Sequence, residues 1–237
     1  ILDADFGLAN IEIMFGAVPK HNLCDLIYQG KSITEIITWG PMEVGFISGG
    51  SGIAGMSNLS RDYLSYIIQN LSQLDAIADI IIVDTGAGIS DAVLEFLVAS
   101  GEILLVTTPE PTSITDSYSL LKALYRHPRF DENTTKVKMV ANRVAKESEG
   151  EILFNKLNAV VARYLKIPMT YLGSVPEDVQ LARAVMQQMP VSIQNPGAKS
   201  TAAYEKIVQK LMGKEEEERQ PRRGMAAFFS HILERRN

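Results

Sequence analysis

Two apolar segments of this chain end in acidic residues that are followed at once by a glycine-containing turn. They are residues 1–7, with the sequence ILDADFG, and residues 80–86, with the sequence IIIVDTG. A short apolar run that ends at a turn is typical of a buried strand, and open α/β sheets bind their ligands at the carboxyl ends of strands. The repeated design predicts that Asp3, Asp5 and Asp84 lie at one edge of a sheet.

Strand and helix patterns alternate along the chain as far as Gly213. Strands are predicted at 1–3, 43–48, 79–84, 102–107, 136–141 and 169–173. Helices are predicted at 60–74, 90–99, 113–126, 148–165, 177–188 and 198–213. Several strands are continuous apolar runs, which is expected of strands covered on both faces in a parallel sheet. The alternation predicts one α/β domain over 1–213, doubly wound, with a mainly parallel sheet and helices on both faces.

Net charge, cysteine count and the length of apolar runs exclude several functional classes for this chain. The 237 residues carry a net charge of −5, which argues against nucleic-acid binding by the whole surface. The single cysteine, Cys24, excludes an internal disulfide framework and indicates a cytoplasmic protein. No apolar run reaches the ~18 residues that a membrane-spanning helix needs. These features predict a soluble domain without a structural metal or disulfide framework.

In their order and spacing, residues 1–10 and 80–88 resemble the MinD/ParA class of deviant P-loop ATPases, and the resemblance covers 1–213. It implies a magnesium-dependent ATP hydrolase that binds ATP and ADP. Members of this class begin with a glycine-rich, lysine-containing phosphate loop, and no such pattern occurs in this chain. We therefore expect the phosphate loop to lie N-terminal to Ile1; the alternative is a degenerate relative that binds no nucleotide.

The resemblance assigns roles to the three acidic residues. It implies that Asp5 orients the attacking water and that Asp84 holds Mg²⁺ through the ion's water shell. These roles suit the chemistry, because phosphoryl transfer depends mainly on positioning and electrostatics, and Mg²⁺ prefers one or two carboxylates with phosphate oxygens. Asp3 is expected to support the turn and is a weaker metal candidate. The alternative is that both Asp3 and Asp5 only cap the turn.

Further residues are assigned to nucleotide binding by the same resemblance. Asn10 matches a position near the switch segment of family members. Gly86 has no side chain, so backbone amides can approach a phosphate there. Asn142 and the loop Pro176, Glu177 and Asp178 match the segments that family members place beside adenine.

Within the class, residues 1–16 and 46–53 look most like the flagellar number and placement regulators of the FlhG type. That likeness implies a homodimer that forms in ATP. It also implies two partners, the signal-recognition-type GTPase FlhF and flagellar C-ring proteins. The alternatives are a MinD-type ATPase for division-site selection, a ParA-type ATPase that positions DNA or other cargo, and a non-enzymatic adaptor.

The sequence after Gly213 changes character. Residues 214–223 are charged and read as a solvated linker, whereas residues 224–237 fit an amphipathic helix. Its apolar face would comprise Met225, Phe228, Phe229, Ile232 and Leu233. Residues 219–237 carry five arginines and one glutamate, so we expect this helix to bind an anionic membrane surface. The protein would then be cytoplasmic and reversibly attached to the inner face of the cell membrane; the alternative is a helix packed on its own domain.

Overall fold

The computed structural model describes residues 1–6, 8–50 and 59–213. The predicted linker at 214–223 and the predicted membrane helix at 224–237 lie outside these residues. The same holds for the residues of its apolar face, namely Met225, Phe228, Phe229, Ile232 and Leu233. Within the described part of the chain, no helix has the length and apolar character needed to cross a bilayer.

The strands form a parallel arrangement in two separate parts, with a small hairpin at one side. The strands are β1 (Leu2–Ala4), β2 (Thr38–Trp39), β3 (Gly45–Phe46), β4 (Val83–Thr85), β5 (Glu102–Thr107), β6 (Lys136–Val144) and β7 (Met169–Pro176). In the first part β1 pairs in parallel with β4, and Ile47 bridges in parallel to Leu2 just after β3. In the second part β5, β6 and β7 pair in parallel in that order. The hairpin joins β2 to β3.

The helices connect these strands as expected of a doubly wound fold. They are α1 (Ile11–Met14), α2 (Leu23–Gln29), α3 (Arg61–Leu71), α4 (Asp91–Ala99), α5 (Pro111–Tyr125), α6 (Glu147–Tyr164), α7 (Val179–Met186), α8 (Val191–Gln194) and α9 (Lys199–Leu211). Local chemistry sets several of the starts. The Ser60 and Ser90 side chains accept backbone N–H bonds at the starts of α3 and α4, and Pro111 occupies the first turn of α5, where its missing N–H costs nothing.

Several predicted boundaries differ from the structure. The strand predicted at 79–84 is confined to Val83–Thr85, and the helix predicted at 60–74 ends at Leu71 and continues as a 3₁₀ turn over Ser72–Ala76. The short helices α1, α2 and α8 and the strand β2 were not predicted, because elements of two to seven residues are too short to show a hydrophobic period.

Two main apolar cores lie on either side of a gap between β4 and β5. One core surrounds β1 and includes Leu26 of α2 and Leu64 of α3; the other packs Met139 of β6 against α5 and α6. A smaller cluster packs α9 against β7 on the other face of this second part. Helix α4 belongs to both cores, because Phe96 lies in the first and Leu97 packs against the second. The fold therefore has helices on both faces, as predicted, and α4 joins its two parts.

The expectation that the central strands are covered on both faces is wrong for β5. Leu104 and Val106 are 48% and 53% exposed, and Ile82 beside β4 is 55% exposed. A cavity of about 520 Å³ separates the facing edges of β4 and β5. Within the described residues no strand pairs with either of these edges. This face of β5 is exposed because no described residue fills the space between the two parts of the sheet.

Gly150 in α6 offers a test of the packing between α6 and β7. A Cβ at this position would overlap the Ser174 and Tyr171 hydroxyl oxygens, which are hydrogen-bonded to each other at 2.6 Å. We expect Gly150→Ala to lower the free energy of unfolding by about 1–3 kcal/mol through overpacking, measured by urea denaturation. Gly101→Ala is the matched control, since nothing lies within 4 Å of its Cβ position. Equal stability of the two variants would contradict the close packing.

Candidate functional site

A buried carboxylate organises the turn after β1. Asp3 is 1% exposed, and its Oδ2 accepts hydrogen bonds from the backbone N–H groups of Asn10 at 2.8 Å and Ile11 at 3.1 Å. Its Oδ1 accepts a third from the N–H of Asp5 at 3.3 Å. A buried charge needs such partners to offset its lost hydration. Asp3 therefore shapes the loop that presents Asp5 and begins α1, in agreement with the turn-supporting role expected of it.

Asp5 lies against the glycine turn that follows β4. An ideal Cβ on Gly86 would lie 2.8 Å from Asp5 Oδ1 and 3.1 Å from its Cγ. Only a residue without a side chain leaves the carboxylate in this place. The structure thus brings together Asp5 and Gly86, which the sequence predicted as a catalytic residue and a phosphate-binding residue.

Asp84 completes an acidic cluster at the carboxyl ends of β1 and β4. The parallel register sets it opposite Asp3. Partial desolvation raises the pKa of the Asp84 carboxyl, and the carboxylates of Asp3 and Asp5 raise it further. Negative charge is therefore concentrated at this edge, and a cation there would relieve the repulsion.

The donor set of this cluster suits Mg²⁺ bound together with phosphate. Within the described ranges, no three His, Cys, Asp or Glu side chains form a group that could hold a metal ion by themselves. Mg²⁺ commonly keeps several waters and takes one or two carboxylates plus phosphate oxygens. Asp84, at the solvent-exposed end of its strand, fits this mode of binding, whereas both Asp3 oxygens already accept backbone N–H groups. The role of Asp3 as a metal ligand remains a prediction.

The residues expected beside the base meet at the ends of β6 and β7. Asn142 lies opposite Val175 in the strand register, and the N–H of Glu177 donates to the Val144 carbonyl at 3.1 Å. Asn142 is therefore next to the loop at 176–178, and the contact of both with a base remains a prediction. Since β5, β6 and β7 run parallel to one another, this second cluster lies at the carboxyl edge of their sheet.

Asp178 has a structural task in addition to the role predicted for it. Its Oδ1 accepts the N–H of Gln180 at the start of α7, and its Oδ2 accepts the N–H and hydroxyl of Ser200 in α9. These hydrogen bonds hold the pKa of the Asp178 carboxyl below its usual range. Both carboxylate oxygens accept hydrogen bonds, so Asp178 links α7 to α9 beside the loop that is predicted to contact the base. Asn10 contributes its backbone N–H to Asp3, and its predicted contact with nucleotide remains a prediction.

An open cavity adjoins the acidic cluster. It is lined on one side by residues 82–88, which include Asp84 and Gly86, and on the other by residues 103–106 of β5. Asp84 therefore borders a mainly apolar space, and Asn142 and residues 176–178 do not line it.

Three contributors to the site were not predicted. A Cβ on Gly49 would lie 2.6 Å from the Asp3 carbonyl oxygen, so Gly49 lets the segment after β3 approach β1. Arg143 and Glu110 form an ion pair at 3.8 Å between the ends of β6 and β5. The Asn-Arg dipeptide after an apolar run was the available signal for Arg143.

Comparison with known proteins identifies the class to which this arrangement belongs. No protein-family model matches the chain. The chain is 37% identical over 211 residues to the antiactivator FleN of Pseudomonas aeruginosa, which covers 89% of this chain and 74% of FleN. The chain belongs to the MinD/ParA family of ATPases. Within this family it is most like the FlhG-type regulators to which FleN and YlxH belong.

One further relative and one solved structure are similar to this chain, the first in sequence and the second in fold. The flagellum site-determining protein YlxH of Helicobacter pylori is 29% identical over 237 residues, covering 98% of this chain and 78% of YlxH. The structure of MinD complexed with Mg-ADP from Pyrococcus horikoshii superposes with a TM-score of 0.68 at 17% identity, covering 89% of this chain and 81% of that one. This likeness confirms the predicted fold.

The raised pKa of Asp84 leads to a prediction about stability. An aspartate whose folded-state pKa exceeds its unfolded value loses stability as pH rises through that window, because the unfolded chain gives up the proton more readily. The penalty is present in full at neutral pH. We expect Asp84→Asn to raise the melting temperature of the nucleotide-free protein at pH 7, and the gain to shrink as pH falls below the Asp84 pKa.

The measurement is a thermal melt of each variant across pH. Asp75→Asn, on the exposed 3₁₀ turn after α3, is the matched control and should leave the melting temperature unchanged. A lower melting temperature for Asp84→Asn at neutral pH would show that the acidic cluster is not repulsive in the folded protein.

Proposed function

We propose that this protein is a magnesium-dependent ATP hydrolase that acts as a switch in flagellar number and placement. The observation that carries the proposal is the pair of clusters at strand ends, with Asp5 and Asp84 after β1 and in β4 and Asn142 near the end of β6. ATP has a charged end that suits the first cluster when Mg²⁺ is bound. Its adenine suits the second, because an asparagine amide can both donate to and accept from the adenine edge.

We propose that a segment outside the described residues fills the cavity and supplies the phosphate loop. The facing edges of β4 and β5 offer backbone groups to a parallel strand, and the apolar side chains of Ile82, Leu104 and Val106 offer it a surface to cover. A strand there would join the two parts into one sheet. Its carboxyl end would then lie beside Asp84, where a phosphate loop needs to be.

Asp5 is the residue proposed to act on the nucleophile. A carboxylate within hydrogen-bond reach of a water can orient it and accept its proton. Gly86 keeps the space beside Asp5 open, and Asp3 holds the loop through the backbone. Mg²⁺, when bound, would neutralise charge on the phosphate oxygens, with Asp84 as the residue that holds its water shell.

The biological role rests on the relatives. FleN is named an antiactivator and YlxH a flagellum site-determining protein, which supports a flagellar role above division-site selection. We propose that ATP favours a homodimer and that an FlhF-type GTPase and flagellar C-ring proteins are its partners. The tail at 224–237 would attach the dimer reversibly to the inner face of the cell membrane. Two tails could raise membrane binding by ~10²–10⁴ over one tail through avidity.

The role of Asp5 is tested by Asp5→Ala in the full-length gene product. We expect ATP binding to persist and hydrolysis to fall by about 10²–10⁴, since a positioned general base is lost. The variant should also accumulate as a dimer in ATP and remain a monomer in ADP. The measurements are phosphate release, nucleotide titration and analytical ultracentrifugation.

Asp84→Ala is the comparison for this experiment, because it should weaken magnesium-dependent nucleotide binding instead of turnover alone. Unchanged phosphate release by Asp5→Ala would remove Asp5 from the proposed mechanism. Equal dimer fractions in ATP and ADP would remove the switch even if hydrolysis were found.

The role of the tail is tested by replacing Phe228 and Phe229 together with glutamate. The double variant should lose flotation with anionic liposomes and keep ATP binding, because charge on the apolar face opposes insertion. High salt should also weaken flotation of the unmodified protein by screening its arginines. Continued flotation of the double variant would rule out the tail as the membrane anchor.

A further inference from the structure

Arg143 has a backbone conformation that its residue type does not favour. Its φ is +56°, in the left-handed region where residues with a Cβ are uncommon. The other non-glycine residues with positive φ in the described chain are Met42 and Glu43 in a 3₁₀ turn and Lys166 and Gln188 just after helices. Left-handed residues are ordinary at helix ends, whereas Arg143 lies inside the strand β6.

The cause of this conformation is a β-bulge. Asn142 pairs with Val175 and Val144 pairs with Pro176, so Arg143 is an extra residue with no partner in β7. Bulges often lie beside active sites, where they redirect a side chain or end the pairing of two strands. Here the bulge directly follows the residue proposed to contact the base.

The bulge fixes the orientation of the Asn142 amide. The backbone N–H of Arg143 donates to Asn142 Oδ1 at 3.0 Å. If the amide were turned over, its NH₂ group would face this N–H, and two donors would oppose each other. Asn142 Nδ2 therefore remains available to donate and Oδ1 keeps a second lone pair to accept. An amide in a fixed orientation can match the N7 and N6 groups of adenine but not the O6 of guanine.

The guanidinium of Arg143 links the loops on both sides of the bulge. Its Nη2 lies 3.4 Å from Glu177 Oε1 after β7, and its Nη1 lies 3.8 Å from Glu110 Oε1 at the start of α5. All three side chains are more than half exposed, so each ion pair adds little to stability. Together they connect the carboxyl ends of β5, β6 and β7 around Asn142.

We infer that Arg143 is a positioning residue that sets the preference for adenine over guanine. It holds the Asn142 amide through its bulged N–H, and its guanidinium holds the bulge between Glu110 and Glu177. This inference rests on the proposed function, because it requires that Asn142 faces the base. A strained residue that is kept beside a ligand site is consistent with such a role.

The test compares nucleotide discrimination in full-length protein with and without the guanidinium. Arg143→Asn is the informative variant, since asparagine tolerates the left-handed conformation but cannot form the two ion pairs. Dissociation constants for fluorescent ATP and GTP analogues with Mg²⁺ give the discrimination ratio. Since the variant keeps the backbone N–H and loses only two exposed ion pairs, we expect the ATP preference to fall by about two- to fivefold. Arg143→Lys should keep part of the preference for ATP.

The matched control is Lys166→Asn. Lys166 is also basic and also has a left-handed backbone conformation, with φ of +56°. It follows α6, however, and its backbone N–H donates to the Val161 carbonyl. It should keep the ATP-to-GTP ratio of the unmodified protein. Equal ratios for Arg143→Asn and the unmodified protein would overturn the inference and leave the proposed function standing. Binding of neither nucleotide by the unmodified protein would overturn both.

Discussion

The parallel pairing of β1 with β4 is the constraint on which the site depends. It sets Asp3 opposite Asp84, and it lets the Asp5 carboxylate approach Gly86. Three carboxylates close together are unfavourable without a cation, so the folded chain carries the electrostatic cost of the site before any ligand arrives. The three backbone N–H bonds to Asp3 offset part of this cost and hold the loop in one conformation.

The described strands form two parts, and each part carries one of the two residue clusters. Each part has its own core, and α4 contributes side chains to both. Strand pairing within each part fixes one end of the site, with Asp84 at the end of β4 and Asn142 at the end of β6. The open edges of β4 and β5 lie between them.

Much of this arrangement was predictable from local patterns. The strand at 102–107 was predicted with its observed bounds, because a continuous apolar run between turns is a strong local signal. The proximity of Asp5 to Asp84 followed from the rule that parallel strands end at one edge. The resemblance to the MinD/ParA class supplied the expectation that Asn142 and residues 176–178 lie together. The membrane tail, by contrast, remains a prediction from its amphipathic pattern alone.

The sequence by itself determined the fold class, the family and the residue types at the carboxyl ends of the strands, since these depend on local periodicity and short motifs. Only the tertiary structure decided the bulge at Arg143, the approach of Gly49 to Asp3 and the hydrogen bonds by which Asp178 links α7 to α9. Each of these arises from the register between segments that are distant in sequence. Register is a property of paired strands and packed helices, so one segment read alone carries no record of it.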